Sequence, residues 1–259
     1  MLPVKAAQPT RRTDRAPERI ARVACSKLVV ARIRVCPTPS AEPERGRGMR
    51  PRSAGRSRSR RHTVAKRTFD IAGALLALAL LAPLMIVIAL AIFASDPRAG
   101  VFFCQRRTGR GGRTFTLYKF RTMRRDADAL KEALRHRSEV PWPDFRVPND
   151  PRVTRLGRGL RQTSLDELPQ LVNVLLGSMA LVGPRPTSFA ASTYTLWQTE
   201  RLTFRPGLTG PWQVRGRQSM DFAERCRLEI AYFRRATLRD DLAILLATVW
   251  VVVRRTGTA

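Results

Sequence analysis

The longest apolar run in the chain extends from Ile71 to Ala94, "IAGALLALALLAPLMIVIALAIFA", 24 residues without a charge. At about 1.5 Å per residue it makes roughly 36 Å of helix, so it must enter a membrane. Pro83 sits at its middle, removes one backbone donor and crowds the preceding turn, so a kink is expected there. Lys66 and Arg67 precede the run, and Arg98, Arg106 and Arg107 follow it. Positive flanks favour the cytoplasmic side, and a re-entrant segment satisfies both flanks where a spanning one satisfies only one. The pattern by itself leaves open a re-entrant hairpin hinged at Pro83 and a single spanning helix with a tolerated proline.

After this run, "VFFCQRRTGRGGRTFTLYKFRTM" carries two short stretches rich in Phe, Val, Thr and Tyr around a Gly-Arg-Gly-Gly turn, which predicts a β-hairpin. Residues 124–137, "RRDADALKEALRHR", predict a short charged helix, and Pro141, Pro143 and Pro148 break the following stretch into a loop. Near the end, the apolar stretch from Leu242 to Val253 is 12 residues long and is followed by Arg254 and Arg255. It is too short to span and predicts a helix that is either buried or lies in the membrane interface.

Charge changes the picture at the N-terminal end. The chain has 48 Lys and Arg against 20 Asp and Glu, a formal net charge of +28. Such an excess points to a polyanionic partner: nucleic acid, an anionic membrane surface or phosphate-bearing small molecules. Much of it lies before residue 67, in a Pro- and Arg-rich stretch with little apolar periodicity, so residues 1–65 are read as a disordered extension. Met49 stands just before the patterned part, which makes this extension either a misassigned start or a basic arm. Arginines interrupt every apolar run in it, so a signal peptide is not expected. Cys25, Cys36, Cys104 and Cys226 form no C-x-x-C pair, and free thiols are expected in place of a zinc site. No Gly-rich phosphate loop of the Walker or dinucleotide type is present, so phosphate handling falls to arginines and backbone.

Against this basic background, "SLDELPQL" concentrates two acids, Asp166 and Glu167. Ser164 with Glu167 fits a capping box, in which both acids answer only a helix dipole. The surroundings suggest more. Arg152, Arg155, Arg158 and Arg161 lie upstream at helix-compatible spacing, and Arg185 stands between Pro184 and Pro186 downstream. Arginines fork onto phosphate oxygens, so these could cradle a diphosphate. A carboxylate beside such a cradle can attack phosphorus when a cation offsets the repulsion between two anions, a role that suits Mg2+.

Four stretches, "KRTFDIAGALLALALLAPL", the hairpin sequence, "NDPRVTRLGRGLRQTSLDELPQLVNVLLGSMALVGPRP" and "RPGLTGPWQVRGR", occur in one order over roughly residues 66–253. In this the chain resembles the bacterial sugar transferases, the monotopic polyprenyl-phosphate phosphoglycosyl transferases, of the small single-hairpin type. The resemblance implies an α+β, membrane-associated fold: a re-entrant membrane helix over 66–97 hinged at Pro83, then a small catalytic domain over 98–259 with a short β-hairpin and interfacial amphipathic helices. It implies a place at the bacterial inner membrane, with the catalytic domain on the cytoplasmic face.

It also implies a reaction. Asp166 would attack the β-phosphorus of a nucleoside diphosphate sugar, expected to be a UDP-sugar, and polyprenyl phosphate would take the sugar phosphate from the aspartyl intermediate. This would be the first membrane step of exopolysaccharide, O-antigen or glycoconjugate synthesis. Glu167 would assist by metal binding or proton handling, Asp166 and Glu167 together would ligate Mg2+, and Lys119, Arg121, Arg158, Arg161 and Arg185 are candidate phosphate contacts. No specific nucleic acid is expected as a partner, and a homodimer is left open. The chain departs from the family pattern at Arg215, often a small polar residue, and at Cys104, often arginine. Those departures bear on substrate detail and not on the reaction.

Overall fold

The computed structural model describes residues 60–138, 147–214 and 220–254. Most of the N-terminal extension, Pro141, Pro143 and Arg215 lie outside the described residues. Helix α1 spans Arg60–Ser95 and continues through Pro83 without a break. Among the described residues it is the one helix long and apolar enough to cross a membrane. Its sides differ. Ala74, Ile88 and Ile92 are buried, whereas Leu76, Leu80, Val87 and Leu90 are 62–70% exposed. Apolar surface left in water costs about 25 cal/mol per Å², so the open side of α1 calls for lipid.

The buried stripe of α1 meets the rest of the fold in two places. Phe69, Ala74, Ala77 and Leu78 join Leu117, Leu171, Val174, Met179 and Leu181. Met85, Ile88 and Ile92 join Phe120 and Leu160. Ion pairs and hydrogen bonds fix the first contact. Arg67 donates to the Val174 and Leu175 carbonyls at 2.6 and 2.8 Å, answering exposed carbonyls near the end of a later helix. Asp70 is fully buried and accepts from Lys66 Nζ at 2.6 Å and from the Leu181 amide at 3.0 Å. Lys66 also lies 3.1 Å from the buried Asp241, so this lysine ties α1 to the start of the last helix.

The predicted hairpin forms as β1 (Phe102–Thr108) and β2 (Thr114–Phe120), antiparallel from Phe102 opposite Phe120 to Thr108 opposite Thr114. Gly111 and Gly112 carry the turn at φ 67° and 76°, values that glycine adopts without a Cβ penalty. Residues 124–137 do not form the predicted α-helix: they make successive turns that end in a 3-10 turn at Arg135–Arg137. The segment buries little beyond Ala127, and a short helix without a packed face is marginal in water.

The arginine-rich stretch becomes α2 (Arg155–Gln162), whose N-cap Thr154 accepts from the Gly157 amide at 2.9 Å. Here α2 rides directly on the backbone after β2: a Cβ on Gly157 would stand 2.1 Å from the Thr122 carbonyl oxygen. Gly157→Ala is therefore expected to force α2 away from Thr122 and destabilise the fold by about 1–3 kcal/mol. A thermal scan in detergent checks this, and an unchanged unfolding midpoint would show that α2 can shift freely.

Beyond α2, the chain passes through α3 (Gln170–Leu176) into β3 (Ala180–Val182), which pairs in parallel with β4 (Gly207–Thr209). This small sheet was not legible as alternation, since each strand is three residues long. After α4 (Pro211–Val214), α5 (Phe222–Arg235) opens with a full capping box of Asp221 and Glu224. The last helix, α6 (Leu238–Arg254), packs Ile244 and Leu245 toward the core while Leu242, Leu246, Val249, Trp250 and Val253 stay exposed. It thus meets the core on one side and presents an open apolar row on the other. Cys226 is a buried free thiol, as expected, while Cys25 and Cys36 lie outside the described residues.

Candidate functional site

The turn that presents the two acids is built from local backbone. Ser164 sits at φ 55°, an uncommon left-handed conformation for a residue with a Cβ, and Leu165–Glu167 follow as a 3-10 turn. The predicted capping box is absent: the Ser164 side chain caps nothing. The reason lies with Glu167, whose carboxylate is taken by two cations, and charge-assisted bonds outweigh a neutral cap. Leu165 packs with Phe120 and Leu160, and this reversal leaves Asp166 and Glu167 on the wall of a cavity of about 780 Å³.

Several elements supply that wall. β2 brings Lys119, α2 brings Arg161, the loop after β3 brings Arg185, α4 brings Trp212 and Gln213, and α6 brings a row of apolar side chains. Glu167 is held by both basic neighbours. Its Oε1 accepts from Lys119 Nζ at 2.8 Å and from Arg185 Nη2 at 2.6 Å, and its Oε2 accepts from Arg185 Nη1 at 3.3 Å. Asp166 is buried but far less engaged. Its Oδ2 lies 3.6 Å from Lys119 Nζ, beyond hydrogen-bond reach, and that is its one ion pair among the described residues.

The two carboxyls are driven apart electrostatically. Burial pushes the Asp166 pKa up, with Lys119 opposing the shift and Glu167 adding to it. Burial acts on Glu167 in the same sense, but Arg185 and Lys119 overcome it and hold that carboxyl well below the usual range. Glu167 in turn raises the Arg185 pKa. One acid is thus a fixed anion locked between cations, and the other is a buried carboxyl with a free pair of oxygens.

The remaining predicted phosphate contacts divide. Arg161 lines the cavity and donates from Nε to Thr122 Oγ1 at 2.9 Å, and burial lowers its pKa. Arg121 also lines the cavity and donates to the Gly100 and Phe102 carbonyls at 3.1 and 3.4 Å. Arg158 is exposed on α2 and does not line the cavity. Pro83 lies on α1, away from these side chains, and is exposed.

Sequence reasoning missed the support behind Arg185. Glu229, fully buried on α5, accepts from the Arg185 amide at 3.0 Å and forms an ion pair with Arg201. Arg201 also donates to the Arg185 carbonyl. Both backbone groups of Arg185 are therefore held by one buried pair. A signal was available: Glu229 falls in the buried stripe of Cys226, Ile230 and Phe233 on α5, and an acid in such a stripe needs a partner.

Among the described residues no group of three or more His, Cys, Asp or Glu side chains gathers as a metal cage. A Mg2+ ion fits here only as one that draws most of its ligands from substrate phosphates and water. Asp166 has oxygens to offer such an ion, whereas Glu167 Oε1 is already used by Lys119 and Arg185.

Comparison with known proteins gives the family. The family described as "Bacterial sugar transferase" matches residues 61–255. The undecaprenyl-phosphate galactose phosphotransferase of Salmonella typhimurium is 43% identical over 197 residues, covering 74% of this chain and 41% of the relative. The UDP-glucose:undecaprenyl-phosphate glucose-1-phosphate transferase of Caulobacter vibrioides is 43% identical over 195 residues, covering 71% and 68%. The exopolysaccharide production protein ExoY of Rhizobium meliloti is 38% identical over 200 residues, covering 75% and 88%. This chain spans about two fifths of the length of the Salmonella protein and of several others like it. The matched region holds α1, the hairpin, the acid pair and α6 together, and the chain belongs to the bacterial sugar transferase family.

Proposed function

We propose that this chain moves a sugar-1-phosphate from a nucleoside diphosphate sugar, a UDP-sugar, to polyprenyl phosphate, through a phosphosugar intermediate on Asp166. The observation that carries the reading is the contrast within the acid pair: Glu167 is locked by Lys119 and Arg185, while the Asp166 carboxylate beside it makes no hydrogen bond among the described residues and lies 3.6 Å from Lys119 Nζ. An Asp166 oxygen attacks the β-phosphorus, the bond to the bridging oxygen breaks, and the nucleoside monophosphate leaves with that oxygen. Lys119, Arg161 and Arg185 offset the charge of the diphosphate, and Glu167 keeps two of those cations in position. Mg2+, when bound with the substrate, supplies further charge neutralisation on the diphosphate; Asp166 and the second oxygen of Glu167 are the side-chain groups that would touch it. The names of the Salmonella and Caulobacter relatives, which specify undecaprenyl phosphate, support the acceptor class.

The same reading places α1 as a re-entrant segment of the inner membrane, with the catalytic part on the cytoplasmic face. The bonds from Lys66, Arg67 and Asp70 to the body that β1 and β2 also enter support this reading, with both ends of α1 on one side of the bilayer. The basic flanks favour the cytoplasm as that side.

A panel of UDP-sugars with the detergent-solubilised protein, Mg2+ and polyprenyl phosphate tests the reaction. UMP release from one or more donors is expected, and silence across every nucleotide sugar would overturn the assignment. A pH profile gives a second check. Asp166 must be ionised to attack, and its raised pKa moves the acid limb of the rate above the pH of about 4 at which an ordinary aspartate titrates. Because Lys119 favours the ionised form, Lys119→Met should move that limb to higher pH still. An acid limb that stays in place in this variant would remove Lys119 from the electrostatics of Asp166.

A further inference from the structure

The cavity has two unlike walls, and a nucleotide sugar accounts for only one of them. Lys119, Arg161 and Arg185 ring Asp166 on the first, while Leu208, Leu245, Val249 and Val252 form a second, apolar wall. A UDP-sugar carries hydroxyls on both sugars and charge on its diphosphate, and has no long aliphatic chain to lay along the second wall. An amphiphile with an anionic head uses both.

We infer that α6 is the rail on which the acceptor lipid lies: the first isoprene units of polyprenyl phosphate run along Leu245, Val249 and Val252 while the lipid phosphate meets the Arg161 and Lys119 side of the cavity. This rests on the phosphosugar transfer proposed above. Val249 both lines the cavity and is 63% exposed, so it joins the inner wall to the outward row of Leu246, Trp250 and Val253. An apolar path therefore leads from beside Asp166 to the open face of α6. The rail is fixed in place, because Thr248 on α6 hydrogen-bonds Thr209 on β4 at 2.7 Å. At its outer end the Arg254 guanidinium stacks over the Trp250 ring at 3.7 Å, a pairing suited to the headgroup level of a bilayer.

A neighbouring cavity of about 620 Å³ beside Ile92, Arg124 and Leu156 is a poorer candidate, since Asp166 does not line it. The second half-reaction needs the acceptor at the aspartyl phosphorus. A lipid phosphate oxygen attacks that phosphorus, the bond to the Asp166 oxygen breaks, and the carboxylate leaves with the electron pair. A phosphoanhydride forms, and an acceptor dianion has no proton to lose.

The test is a polyprenyl phosphate bearing a diazirine on its first isoprene unit, photolysed with the full-length protein in detergent. Labelling is expected in the peptide that carries Leu245 to Val252; labelling confined to Ile92, Ala99 and Leu156, which line only the neighbouring cavity, would overturn the inference. Two variants give an independent reading. Val252→Asn should raise the KM for the lipid acceptor about tenfold relative to any effect on exchange of labelled UMP into UDP-sugar, which needs no acceptor. Leu196→Asn, at an exposed apolar residue outside both the cavity and α6, should leave that ratio unchanged. An equal rise in both variants, or in neither, would overturn the rail. Absence of UMP exchange in the unmodified protein would instead overturn the phosphosugar-aspartyl reading, so the two failures are distinct.

Discussion

Asp166→Asn is expected to abolish UMP release and sugar phosphate transfer, a loss of at least about a thousandfold, because a carboxamide is no nucleophile and no second acid can take its place. The substitution keeps the size of the side chain and removes a charge that burial already disfavours, so the fold should hold or gain slightly. Loss of activity with an unchanged unfolding midpoint is the signature sought. Glu167 cannot substitute, since its carboxylate is tied to Lys119 and Arg185 at 2.8 and 2.6 Å. Full turnover by Asp166→Asn would show that the nucleophile has been misassigned.

Glu229→Ala is expected to have the largest effect on stability. It leaves the Arg201 guanidinium, 6% exposed, in the interior without its carboxylate, and breaking a buried pair in this way costs about 3–5 kcal/mol. It also frees the Arg185 amide, so the Arg185 guanidinium loses its fixed approach to Glu167. Glu229→Gln keeps an acceptor for that amide and should recover part of the UMP exchange while remaining less stable than the parent. The pair of variants separates positioning from bulk stability: exchange measured well below both unfolding midpoints should be weaker in Glu229→Ala than in Glu229→Gln. Equal exchange rates would reduce Glu229 to a stabilising role.

Much of this arrangement was legible in the sequence wherever one short segment decides its own form. The hairpin was readable because β-rich runs flank a glycine turn, and Gly111 and Gly112 do adopt positive φ. The apolar run from Ile71 was readable from hydropathy alone. The acid pair drew notice because it stands in a basic chain, and Lys119, Arg161 and Arg185 do converge on it. Reading failed where a distant partner decides. The S-x-x-E pattern at Ser164 suggested a capping box, yet Glu167 turns to a lysine 48 residues before it and an arginine 18 residues after it. Arg158 and Arg161 share one helix, but only Arg161 reaches the cavity. The Glu229–Arg201 support and the apolar wall of α6 depend on contacts between elements far apart in the chain, which hydropathy patterning does not reveal.

The central claim is a covalent sugar phosphate on Asp166, and intact-protein mass measured after mixing the enzyme with its UDP-sugar and Mg2+, without lipid acceptor, tests it most directly. An added mass equal to one sugar phosphate is expected, mapped to the peptide containing Asp166, absent from Asp166→Asn, and discharged when polyprenyl phosphate is added. UMP release with no added mass at any time, or an adduct on another residue, would contradict it.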